Sequence, residues 1–143
     1  MLHQHLSRLY ATIYSRGEIE VERFCVKQPS MLRGRIAGRL RFYDGSTLEF
    51  EEILELQKTR RITKVYYKYH YQHADGTLVF RYDNAPHHPE VPTFPDHLHI
   101  EDRVEAAEPP DLSDVLRKID GLLYPTGQRE GTPDKRGGEE DDA

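Results

Sequence analysis

The sequence predicts an α+β fold in two layers: an N-terminal helix, about five antiparallel strands, and a C-terminal helix on one face of the sheet. Three observations carry this. Apolar residues recur at helical spacing at both ends of the chain, apolar and charged residues alternate between those ends, and two Asp-Gly pairs sit where the alternating runs need tight turns. Leu2, Leu6, Leu9, Tyr10, Ile13 and Tyr14 put one apolar stripe on a helix over residues 2–15, with Gly17 placed as its C-cap. Leu112, Val115, Leu116 and Ile119 repeat the pattern after Pro109 and Pro110, with Asp111 or Ser113 as the N-cap.

The strands follow in order. Residues 19–27 form a first strand whose apolar phase changes between Val21 and Phe24, the signature of a bulge. From 33 to 43 the even positions Gly34, Ile36, Gly38, Leu40 and Phe42 are small or apolar, and Arg33, Arg35, Arg39 and Arg41 share the opposite face. Leu48 and Phe50 continue the inner face after a three-residue Tyr43-Asp44-Gly45 loop, with Glu49 and Glu51 outside. Residues 61–73 place Val65, Tyr67, Tyr69 and Tyr71 inside, and Lys64, Tyr66, Lys68, His70 and Gln72 outside. Their partner, residues 77–83, points Leu78, Phe80 and Tyr82 inward. A two-residue Asp75-Gly76 turn then sets Lys68 opposite Asp83 and His70 opposite Arg81.

With 143 residues the chain can build one modest core. No apolar run is long enough for a membrane helix, and residues 1–10 lack the basic-then-apolar order of a signal peptide, so the expectation is a soluble cytoplasmic protein. The single cysteine, Cys25, excludes an intramolecular disulfide and any zinc site built mainly from thiolates. The net charge of −5 hides an asymmetry. Residues 23–82 carry twelve basic and six acidic groups, whereas residues 83–124 carry three and ten. Residues 125–143 are acidic and have no large apolar side chain, which predicts a disordered tail after a single domain over 1–124.

Residues 80–100 hold four of the nine prolines and four of the eight histidines. Pro86, Pro89, Pro92 and Pro95 recur every third residue, the period of a polyproline II helix, and His97 and His99 point to one side of an extended chain. Here the sequence resembles a family. Tyr69-His70-Tyr71-Gln72, the run from Phe80 through Arg81-Tyr82-Asp83-Asn84-Ala85-Pro86-His87-His88 to Pro89, Thr93-Phe94-Pro95, and the paired His97 and His99 look like the TumE-type toxins of prokaryotic type II toxin–antitoxin pairs. That family more often reads His-His-Lys-His where this chain has Asp96-His97-Leu98-His99. The resemblance implies a toxin encoded beside a helix-turn-helix antitoxin, acting on RNA.

The residues suit that chemistry. Cleaving RNA through its own 2′-hydroxyl needs a base, an acid and a cation on the phosphate. The candidate catalytic residues are His97, His99, His87, His88, His70 and Asp83. The candidate phosphate ligands are Arg81, Arg33, Arg35, Arg39, Arg41 and Lys68. This set predicts a metal-independent endoribonuclease with no cofactor. A non-catalytic module that binds RNA or the antitoxin through the basic face uses the same residues. So does a metal-dependent hydrolase with ligands from His97, His99, His87, His88 or Asp83. An exposed edge strand could pair with the antitoxin or with a second copy, giving a homodimer.

Overall fold

The alternation of arginine with small and apolar residues after position 33 becomes a strand in the computed structural model of the chain, which describes residues 2–125. In chain order the elements are α1 (Leu2–Tyr14), β1 (Glu20–Ser30), β2 (Arg33–Arg41), β3 (Thr47–Leu56), β4 (Ile62–Gln72), β5 (Leu78–Asp83), β6 (His97–Ile100), β7 (Arg103–Ala106) and α2 (Leu112–Leu123). The expected α+β class holds. The sheet has seven antiparallel strands in chain order, not five. The two added strands, β6 and β7, are four residues each, too short for a period of two to stand out.

Among the described residues, those up to Pro110 form one compact unit and those from Asp111 a second. In the second, Asp111 caps α2 through a reciprocal capping box with Asp114, and Leu112, Val115, Leu116 and Ile119 are buried. Apart from Pro125, the acidic tail expected over 125–143 lies outside the described residues. No helix among the described residues is long and apolar enough to cross a membrane.

In the first unit, α1 lies against β1, β2 and β3 and buries Leu2, Leu6, Leu9 and Ile13. Each is worth about 1.5–3 kcal/mol on burial. The sheet supplies Ile36, Leu40, Leu48, Phe50, Leu54, Tyr67, Tyr69, Tyr71 and Phe80 to the core. Gly34 lets α1 approach, because a Cβ there would lie 3.3 Å from Leu2 Cδ2. Gly38 is tighter: a Cβ would meet the Phe50 ring at 2.8 Å and the Arg23 carbonyl oxygen at 2.9 Å.

Turn chemistry sets the register. In the Tyr43-Asp44-Gly45 loop, Gly45 takes a φ of 85° and Phe42 N–H donates to the Ser46 carbonyl, so Leu40 pairs Leu48 as expected. The same three-residue form closes β3 and β4 through Lys58-Thr59-Arg60, with Arg60 at φ 67°. It also closes β4 and β5, where the expected two-residue turn is corrected. His73 N–H donates to the Thr77 carbonyl around Ala74-Asp75-Gly76, and a bulge between Tyr71 and Gln72 restores the odd-to-even pairing. The predicted pairs Lys68 with Asp83 and His70 with Arg81 are therefore present, reached by a different turn. β1 carries the expected bulge between Val21 and Arg23.

One charge lies where the alternation calls for an apolar residue. Glu52 follows Leu48 and Phe50 on the inner face of β3 and is buried. It accepts a hydrogen bond from the Tyr69 hydroxyl and lies 3.6 Å from Lys64 Nζ, and His5 Nε2 lies 3.9 Å from its other oxygen. Burial pushes its pKa up, but His5, the Lys64 ammonium and the Tyr69 hydroxyl together outweigh burial and hold it below the usual carboxylate value. Lys64 also donates to the Pro110 carbonyl oxygen at 2.7 Å, which ties the end of this unit to β4.

Two predictions follow from this packing. Gly38→Ala lowers unfolding free energy by about 1–3 kcal/mol, read as a shift in urea midpoint. Because the folded pKa of Glu52 is depressed, its stabilisation is present above the ordinary carboxylate range and lost as pH falls through it. Glu52→Gln therefore gives a shallower loss of stability than wild type between about pH 7 and about pH 3 in the same measurement.

Candidate functional site

Antiparallel pairing lines up alternate residues of neighbouring strands into rows across a sheet face. On the arginine-bearing face, one row runs Arg39, Glu49, His70, Arg81, His99, and the next runs Glu51, Lys68, Asp83, His97. The register found at the β4–β5 turn is what places a histidine on each side of Arg81.

Asp83 ends β5 and is buried. Its Oδ2 accepts from Arg81 Nε at 2.8 Å, and its Oδ1 accepts from the Ala85 backbone N–H at 3.0 Å. His97 Nε2 lies 3.0 Å from Oδ1, and His99 Nε2 lies 3.8 Å from Oδ2. Burial alone would raise the Asp83 pKa; the Arg81 hydrogen bond, the Ala85 N–H and the His97 charge together hold it below the ordinary value. His97 Nδ1 donates to the Pro95 carbonyl oxygen at 2.8 Å. Its ring is 1% exposed, so both nitrogens are committed inside the protein.

The segment between β5 and β6 folds over this face. It is not the polyproline II rod that the proline spacing predicts. Val91 N–H donates to the His88 carbonyl, Phe94 N–H to Val91 and Asp96 N–H to Thr93, a chain of turns that polyproline II, which has no internal hydrogen bonds, does not contain. Side chains pin the turns. The Asn84 amide accepts from Tyr67 N–H at 3.1 Å and donates to the Val65 carbonyl at 3.2 Å, extending the β4 ladder by one side chain. The Tyr67 hydroxyl donates to Asp96 at 2.8 Å, and the Thr93 hydroxyl donates to the Asp96 carbonyl oxygen and accepts from Ala107 N–H. These positioning roles were missed in the sequence, where Asn84 and Thr93 were marked only by their place in the family-like run, and Asp96 only as a departure from it.

The result is a cleft of about 430 Å³ lined by His70, Leu78, Arg81, Asp83, Ala85, His87, His88, His97 and His99. All six candidate catalytic residues and Arg81 meet there. His88, His97 and His99 pack edge to face, with ring centroids 5.0, 5.4 and 4.8 Å apart in pairs. His87 is exposed at the rim. His99 is 28% exposed, and burial first, then the neighbouring His97 charge, lowers its pKa, partly offset by Asp83. Burial also lowers the pKa of His70, as do the Arg81 and Lys68 charges, against a raising hydrogen bond to Gln72.

The β2 arginines lie elsewhere. Strands β3 and β4 separate β2 from β5, about 14 Å at ordinary strand spacing. Each of these arginines meets glutamate: Arg33 with Glu55, Arg35 with Glu51, Arg39 with Glu22 and Glu49, Arg41 with Glu22. Such exposed pairs contribute about 0–1 kcal/mol each, and their main effect is to neutralise the face. Lys68, beside Asp83 in its row, is the other phosphate candidate close to the cleft.

Comparison with known proteins adds one match. The family model described as Toxin TumE covers residues 8–123, including every residue of the cleft. Neither the curated proteins nor the solved structures provide a match. A model that matches from the second half of α1 through the whole sheet to the end of α2 makes this protein a member of the TumE toxin family.

Proposed function

We propose that the protein is an endoribonuclease toxin that cleaves RNA at the His70–Arg81–His99 row, held in check by a cognate antitoxin of the helix-turn-helix class. The row itself carries the reading. Two histidines flank one guanidinium, with their Cα atoms about 10 Å apart across three strands, a spacing that brackets a phosphodiester.

The arrangement supplies each part of an internal transesterification. Arg81 has its Nε committed to Asp83, which leaves its terminal nitrogens to bind phosphate, and Lys68 adds charge from the next row. Neutral His99, with its lowered pKa, accepts the 2′-hydroxyl proton as the 2′-oxygen attacks phosphorus. The bond from phosphorus to the 5′-oxygen breaks, and protonated His70 gives its proton to that oxygen. A bound phosphate anion beside His70 offsets the Arg81 and Lys68 charges and favours its protonated form. The products are a 2′,3′-cyclic phosphate and a 5′-hydroxyl. Asp83 and buried His97 position Arg81 and His99, and His87 and His88 take no proton-transfer role in this reading.

General acid–base groups contribute about 100-fold or more, so His70→Ala and His99→Ala each lower cleavage of an RNA oligonucleotide by at least that factor and relieve growth arrest on induction. A 2′-deoxy substitution at the scissile nucleotide blocks cleavage. Cleavage of the deoxy substrate at the same bond, or wild-type rates in both variants, contradicts the reading.

A further inference from the structure

His88 has no task in the proton transfers above, yet its ring is packed against His97 and His99. One nitrogen from each of the three lies within 4.8 Å of the others, and Asp83 Oδ1 is 3.0 Å from His97 Nε2. We propose that His88, His97 and His99 bind one transition-metal ion of the zinc class, and that this ion switches the toxin off. The metal site stands on geometry alone; the inhibition rests on the role given to His99 above.

Two hydrogen bonds outside the cluster orient ligands for a metal. His97 Nδ1 donates to the Pro95 carbonyl oxygen at 2.8 Å, which leaves Nε2 as the nitrogen with a lone pair in the neutral ring. That lone pair faces a carboxylate, a contact that is favourable only with a proton or a metal cation between the two. His88 Nδ1 pairs with Glu90 Oε2 at 3.2 Å, the carboxylate–histidine pairing that commonly backs a metal-bound imidazole.

The spacing fits after a small closure. Zinc–nitrogen bonds of about 2.0–2.1 Å in a tetrahedron place ligand atoms about 3.4 Å apart, so the set must draw in by about 1.4 Å at most. His97 is locked, whereas His88 and His99 are partly exposed and can turn toward it. Three imidazoles beside one carboxylate favour zinc, cobalt, nickel or copper over magnesium or calcium. A bound ion occupies the lone pair through which His99 accepts the 2′-hydroxyl proton, so metal binding and cleavage exclude each other.

The test uses the full chain without a histidine tag, stripped with chelator and titrated with zinc chloride by calorimetry. The expected result is one zinc per chain, weakened about tenfold or more by His88→Ala or His97→Ala and unchanged by His73→Ala on the β4–β5 turn. Because His97→Ala opens a buried position, His88→Ala on the partly exposed loop is the decisive variant, with far-ultraviolet circular dichroism confirming its fold. One equivalent of zinc suppresses RNA cleavage and chelator restores it. The cleavage that His88→Ala retains is insensitive to zinc, whereas His70→Ala binds zinc and does not cleave. Zinc uptake equal in wild type and His88→Ala overturns the metal site. Cleavage that requires zinc overturns the inhibition while supporting the site. Zinc uptake by a chain that cleaves no RNA also supports the site and overturns the function proposed above.

Discussion

The Asp83 carboxylate is the group around which the cleft is organised. It is buried, and it receives Arg81, the Ala85 N–H and His97, with His99 in reach. Leaving such a charge unpaired costs several kcal/mol, so these partners are held where the carboxylate can use them. The consequence is directional. Arg81 is anchored through one nitrogen and free to donate from the others, and His97 is committed on both sides of its ring.

The sheet places this group and the loop covers it. Because all seven strands run antiparallel in chain order, the cleft residues on β4, β5 and β6 are set by pairing between strands adjacent in the chain, and Ala85, His87 and His88 come from the segment that joins β5 to β6. One slipped register at β4–β5 would turn the face of β5 and remove Arg81 and Asp83 together. The bulge between Tyr71 and Gln72 is therefore part of the site, although it lies at the far end of the strand pair. Over the face, Asn84, Thr93 and Asp96 bond the proline-rich segment to β4 and to the start of the stretch after β7. A segment with few free N–H groups is thus held mainly by side chains.

Much of this was legible in the residues. Arginine against small and apolar residues gave the two faces of β2, and odd-to-even pairing gave Lys68 opposite Asp83. The histidines were singled out, and the cleft brings them together. What failed has physical causes. Proline at every third residue reads as polyproline II only if side chains do not hold turns, and Thr93 and Asp96 hold them. β6 and β7 are too short for periodicity to show. Glu52 breaks the inward alternation, and its partner Lys64 comes from the next strand, a pairing that only the three-dimensional fold discloses. The β2 arginines formed the strongest charge signal; Glu49 and Glu51, which the alternation already put outside on the next strand, pair with them, as do Glu22 and Glu55.

That one buried carboxylate sets the cleft's chemistry is tested most directly by the single-turnover rate of RNA cleavage by Asp83→Asn, a substitution that keeps shape and removes charge. The account predicts a rate at least about 100-fold below wild type, with the amide NMR spectrum unchanged outside the cleft. Wild-type cleavage by a correctly folded Asp83→Asn protein would contradict it.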